Sequence, residues 1–198
     1  MFLIGAFIIA ASLVVLKLNM KAPSIEEEIR LLDITMENSI ASNLMTELEN
    51  SAKFSVDQKN SISTNVFDFA NFTERRAAEH GLEFKFLFTG SYANVSNNYL
   101  NVSVINMLNA PVNVSLNLND GSAVQTNEMI DNTIWNTNFT FTPGTNYNLT
   151  VGYNSTYTQN VTIKTKSNTD IYVGFFDITL QTSDSVYTNK IQDTYELK

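Results

Sequence analysis

Sixteen residues pass before the first ionisable side chain. The chain opens MFLIGAFIIAASLVVLKLNMKAPSIEEE, and Lys17 ends the charge-free run. A stretch that is apolar on every side is stable only inside protein or inside a bilayer. As a helix it reaches about 24 Å at 1.5 Å per residue. That is short of the roughly 30 Å of hydrocarbon in a bilayer, although snorkelling of Lys17 extends it. No basic residue stands before the run, so the n-region of a secretory signal is missing. Lys17 and Lys21 follow it and, by the positive-inside tendency, would keep the remainder cytoplasmic. The later composition argues for export instead. The expectation that reconciles the two is a short basic leader once ahead of Met1 and since removed, leaving the apolar segment as the mature N-terminus.

Residues 1–19 are therefore read as an apolar helix, with Ala6 and Ala10 on one face where neighbouring helices approach closely. Pro23 lacks a backbone donor and disfavours helix at Ala22. Ser24 with Glu27 fits a capping box, so Pro23 and Ser24 mark a kink or a new start. Ile25, Ile29, Leu32, Met36, Ile40, Leu44 and Leu48 then recur at three- and four-residue steps. That is an amphipathic stripe running to about residue 52. A second helix is expected over residues 64–80, closed by Gly81 in the left-handed conformation.

Past Gly81 the period changes to two. LEFKFLF, YLNVSVINM, VNVSLNLN, NFTFT, YNLTVGY, NVTIKT and IYVGFFDITL succeed one another, rich in β-branched and aromatic residues. Asn119-Asp120-Gly121 and Pro143-Gly144 read as turns between them. The tail SVYTNKIQDTYELK reads as a last strand or a loose end. The fold class this predicts is α+β: a long N-terminal helix, hydrophobic then amphipathic, a short second helix, and a C-terminal antiparallel, Ig-like β-sandwich. The expected domains are residues 1–52 (apolar 1–19, amphipathic 24–52), a linker and second helix at 53–81, and the sandwich at 82–198.

Charge is uneven. Between residues 86 and 163 there is no Lys or Arg, and Asn, Thr, Ser and Tyr dominate. A net charge of −8 without a basic stripe argues against a nucleic-acid partner. The absence of cysteine excludes disulfides and thiol chemistry. His80 is the single histidine, so no multi-histidine metal site exists. Phosphate loops and hydrolase serine motifs are missing. No catalytic residue, cofactor or metal ligand is identified, and the chain does not read as an enzyme. Trp135 reads as a core or interface side chain in preference to an exposed sugar platform.

Eight Asn-x-Ser/Thr sequons occur, at Asn71, Asn94, Asn101, Asn113, Asn138, Asn148, Asn154 and Asn160. In an exported chain each is a candidate N-glycan acceptor. Roughly five would arise by chance in this composition, so the enrichment is mild. Asn101, Asn113, Asn148 and Asn160 fall within expected strands, where alternation puts both polar sequon residues on one face.

This layout, with the opening pattern MFLIGAFIIAASLVVLKL, resembles archaeal type IV pilins and archaellins. The resemblance implies a class III signal peptide cut just before the apolar segment. It also implies that Phe2, Leu3, Ile4, Phe7, Ile8, Ile9, Leu13, Val14, Val15 and Leu16 form a polymerisation core. The implied partners are other copies of the chain, the membrane before assembly, the pilus assembly machinery and N-glycans, with the mature protein in an extracellular filament. Gly5 stands where bacterial pilins usually carry Glu, which points to the archaeal branch. The alternatives are a motility filament subunit and a monomeric membrane-anchored surface protein that binds a ligand such as sugar.

Overall fold

Strand alternation governs most of the chain beyond Gly81. The computed structural model describes residues 62–154, 157–182 and 185–197, with positions 39, 40, 42–44, 46–48, 50, 51 and 54 ahead of them. Residues 1–40 and 41–198 form separate units, and every described strand lies in the second. Helix α1 (Ile62–Glu79) precedes nine strands: β1 (Glu83–Asn94), β2 (Tyr99–Met107), β3 (Val112–Leu118), β4 (Gln125–Met129), β5 (Thr133–Thr140), β6 (Asn146–Tyr153), β7 (Tyr157–Lys164), β8 (Asp170–Gln181) and β9 (Val186–Leu197). They form two antiparallel sheets, ordered β5-β2-β1-β8-β9 and β4-β3-β6-β7.

The expected α+β class is corrected by this arrangement. The described residues are mostly β, with one short complete helix, and no long N-terminal helix is seen. The expected helix of residues 1–52 lies largely outside the described residues, as do its kink at Pro23 and Ser24 and the ten residues of the implied polymerisation core. Described positions between 39 and 54 are helical, with Leu44 and Leu48 buried. The physical reason for the β excess is that period-two pairing extends further than the apolar alternation announces. The polar QTNEM becomes β4 because β3 offers it an edge, with Leu116 opposite Gln125 and Val112 opposite Met129. The ambiguous tail becomes β9, a twelve-residue strand against β8.

The two sheets pack face to face. Val102 and Val104 of β2, Val114 and Leu116 of β3, Leu149 and Val151 of β6, Val161 and Ile163 of β7, and Ile171 and Val173 of β8 belong to one buried cluster. Trp135, opposite Val104, packs against it. The other face of the five-stranded sheet is also apolar over half its length, because Phe84, Phe86 and Phe88 of β1 alternate with residues of the inter-sheet core. Helix α1 contacts β1, β2 and β5 and buries Ile62, Val66, Ala70, Thr73 and Ala77, a stripe at three- and four-residue spacing. It ends in a Schellman motif: the Leu82 amide donates to the Ala77 carbonyl and the Gly81 amide to that of Ala78, with Gly81 at φ 72°.

Two buried tyrosines give the fold an alkaline limit. Tyr153 lies between the sheets and Tyr172 on the α1-facing side, each 3 % exposed. Burial pushes both phenols well above the usual tyrosine range. Such groups stabilise the fold fully below pH 10, where unfolded tyrosines keep their protons, and that stability is lost as the pH rises further. The loss approaches about 1.4 kcal/mol per pH unit for each tyrosine. Urea unfolding at pH 9 and pH 11 reads it, and an unchanged midpoint would count against this assignment. The Tyr172 hydroxyl has no hydrogen-bond partner among the described residues. Tyr172→Phe is therefore expected to raise stability at neutral pH by about 1 kcal/mol and to flatten the alkaline decline.

Candidate functional site

Strand alternation sorts the sequons. On the outer face of the four-stranded sheet stand Asn113, Ser115 and Asn117 of β3, Asn146, Asn148 and Thr150 of β6, and Thr158, Asn160, Thr162 and Lys164 of β7. Thr126 and Glu128 of β4, opposite Ser115 and Asn113, complete this face. Its charges are Glu128 and Lys164, while Val114, Leu149 and Val161 between the polar positions are buried. The sequons at 148 and 160 are paired across the sheet, with Asn148 opposite Thr162 and Thr150 opposite Asn160. The Thr150 hydroxyl donates to Asn160 Oδ1 at 3.0 Å. Asn154, at φ 49°, accepts the Asn113 amide on its Oδ1 at 2.7 Å.

The remaining described sequons are placed differently. Asn101 and Asn138 are directly opposite on β2 and β5, joined by an Asn101 Nδ2 to Asn138 Oδ1 hydrogen bond of 2.9 Å. Asn94 closes the β1–β2 turn, where its Oδ1 accepts the Asn97 amide at 2.9 Å and its Nδ2 reaches the Tyr92 and Tyr99 hydroxyls. Asn71 lies within α1, and the hydroxyl of its sequon partner Thr73 is buried and donates to the Phe69 carbonyl.

A cleft of about 380 Å³ opens between the sheets at one end, a volume that suits a small molecule. Its floor is apolar, built from Leu87, Val112 and Tyr153, and Lys85, Tyr157, Asp177 and Lys190 stand at its rim. Asp177 accepts the Tyr157 hydroxyl at 2.7 Å. Lys190 Nζ lies 2.6 Å from that hydroxyl and 3.1 Å from Asp177 Oδ2. The bond to Tyr157, with Asp177 behind it, holds the Lys190 ammonium above the usual lysine range. This cluster continues as a polar seam between sheet edges, in which Gln192 donates to the Thr162 carbonyl and Lys166 pairs with Glu196.

Neither the seam nor the cleft rim announced itself in the sequence, since Tyr157 lies 20 residues from Asp177 and 33 from Lys190 and the three carry no motif. Thr89 and Gln159 were also missed. They meet Tyr153 between the sheets, with the Thr89 and Tyr153 hydroxyls 2.9 Å apart and the Tyr153 hydroxyl 3.1 Å from Gln159 Oε1. Period-two counting from Val161 and Ile163 would have placed Gln159 inside. His80 is exposed at the end of α1. Among the described residues, no group of three or more His, Cys, Asp or Glu gathers to hold a metal ion. No described helix is long and apolar enough to cross a membrane. Comparison with protein-family models and with curated proteins finds no match.

Proposed function

We propose that this chain is a structural subunit of an extracellular helical filament. It assembles through its apolar N-terminal segment, and the β-domain faces outward as a glycan-bearing contact surface. The observation that carries this reading is the coexistence of a charge-free run of sixteen residues with a β-domain whose outer sheet face is amide and hydroxyl almost throughout. The first part needs to be buried and the second is suited to water and sugar. The resemblance of the opening pattern to archaeal type IV pilins and archaellins supports the same division. Before assembly the apolar run is stored in the membrane, and the pilus assembly machinery delivers it to the growing fibre. Each subunit then removes apolar surface from lipid or water, an effect of about 25 cal/mol per Å² where water is excluded. A head-to-tail contact that does not close yields an open fibre. The subunit performs no catalysis and binds no nucleic acid.

The test is cryo-electron microscopy of fibres sheared from native cells. Filaments with the N-terminal segments at the axis and the two-sheet domain outside are expected. Isolated copies that stay with the membrane would sink the proposal. The inter-sheet cleft favours one competing reading, a membrane-anchored binding module. That module would bind its ligand unchanged after residues 1–16 are removed, whereas a filament subunit would lose its polymer.

A further inference from the structure

The eight sequons are not equivalent in the folded chain. We infer that N-linked sugar is carried at Asn113, Asn138, Asn148 and Asn160, while Asn71, Asn94 and Asn101 stay bare; the inference does not extend to Asn154, whose sequon partners Ser155 and Thr156 lie outside the described residues. This rests on the exported, glycan-bearing reading proposed above and assigns which side chains serve it.

Glycosylation joins Asn Nδ2 to the anomeric carbon of a sugar. The bond that breaks links that carbon to a phosphate oxygen of a lipid-carried oligosaccharide donor. The phosphate leaves with the electron pair, and the amide gives up one proton. The product amide retains a single N–H and carries a bulky substituent in place of the other. A fold accommodates this only where Nδ2 faces solvent and its hydrogens are not holding the structure together.

Asn113 and Asn148 meet that condition: both are exposed, and among the described residues their backbone amides, donating to Asn154 Oδ1 and Asn119 Oδ1, are what is engaged, not their side chains. Asn160 is exposed and uses only its Oδ1, as acceptor from Thr150. Asn138 is exposed and likewise uses its Oδ1, leaving Nδ2 open. Its neighbour Asn101 is the opposite case. Its Nδ2 donates to Asn138, its Oδ1 accepts the Ser103 hydroxyl, and it is half-buried. Residues directly opposite in an antiparallel pair have Cβ atoms about 5 Å apart, so two sugars side by side at 101 and 138 would collide. Asn94 has both ends of its amide engaged in closing the β1–β2 turn. Asn71 sits in a helix, with its sequon hydroxyl buried and bonded.

Glycopeptide mass spectrometry on protein from native cells reads this directly. Peptides containing Asn113, Asn138, Asn148 and Asn160 are expected to carry sugar mass, and those containing Asn71, Asn94 and Asn101 to be unmodified. Sugar at Asn71, Asn94 or Asn101, or a bare outer face beside sugar elsewhere, would overturn the assignment. Electron microscopy of the same preparation separates the two proposals. Fibres without sugar at any sequon overturn this inference and leave the filament standing. Sugar at the four named sites on copies that never polymerise upholds the inference and removes the filament.

Discussion

An Ile8→Asp chain is expected to form no filaments. Ile8 lies in the middle of the charge-free run, with eight residues between it and Lys17. Under the filament proposal, an aspartate there is buried among apolar side chains in a fibre, or in hydrocarbon before assembly. An ionised carboxylate cannot be desolvated unpaired, and even as the neutral acid it costs several kcal/mol. In a bilayer the insertion cost at mid-depth is about 3 kcal/mol. A polymer repeats that cost at every subunit, so a loss of a few kcal/mol per contact lowers the assembly constant by about a hundredfold or more. Filament yield from cells producing the variant, read by shearing, pelleting and microscopy, is expected to fall to background. The circular dichroism of the β-domain should be unchanged, because the strands lie in a separate unit. Wild-type fibre yield from Ile8→Asp would remove the N-terminal segment from the assembly mechanism.

Phe88→Ala is expected to destabilise the β-domain by about 3–5 kcal/mol, the range for large-to-small changes at a buried aromatic. Phe88 is completely buried. Its ring centroid lies 4.9 Å from Phe176 and 6.1 Å from Phe86, in the aromatic layer on the α1 side of the five-stranded sheet. Gly90, two residues on, shows how little slack surrounds this ring. A Cβ there would sit 2.9 Å from the Phe88 ring and nearly on the Tyr172 hydroxyl. The ring therefore has tight neighbours, and removing it leaves a cavity that the paired strands β1, β2 and β8 cannot collapse to fill. Domains of this size have about 5–15 kcal/mol in total, so the substitution consumes much of the margin. A fall in melting temperature of about 10 °C and a matching shift in urea midpoint are expected. A change below about 1 kcal/mol would mean that the layer is looser than its geometry implies.

The two predictions test parts of the chain that differ in how legible they were. The apolar opening reads at once, because sixteen uncharged residues admit few surroundings. Seven strands were readable from alternation, and YLNVSVINM became β2 end to end. Gly81 was readable because the end of a helix next to a strand needs a left-handed residue, which glycine adopts without strain. β4 was not, since QTNEM has no apolar alternation and pairs only because β3 leaves an edge beside it. The tail was ambiguous for the same reason, and the β content was underestimated accordingly. Sequons were countable but not rankable: Asn94 and Asn148 look alike as three-letter motifs, yet one closes a turn and the other faces solvent.

Sequence alone determined the periodicities, the left-handed cap at Gly81, the want of thiol and multi-histidine chemistry, and the polar character of alternate strand positions, because each depends on residues close together in the chain. Tertiary structure alone decided which strands are neighbours. That choice sets Asn101 against Asn138, brings Lys190 to Tyr157 and Asp177, and puts Gln159 beside Thr89. It depends on contacts between residues tens of positions apart, whose cost in chain entropy is met only when the whole inter-sheet core forms together.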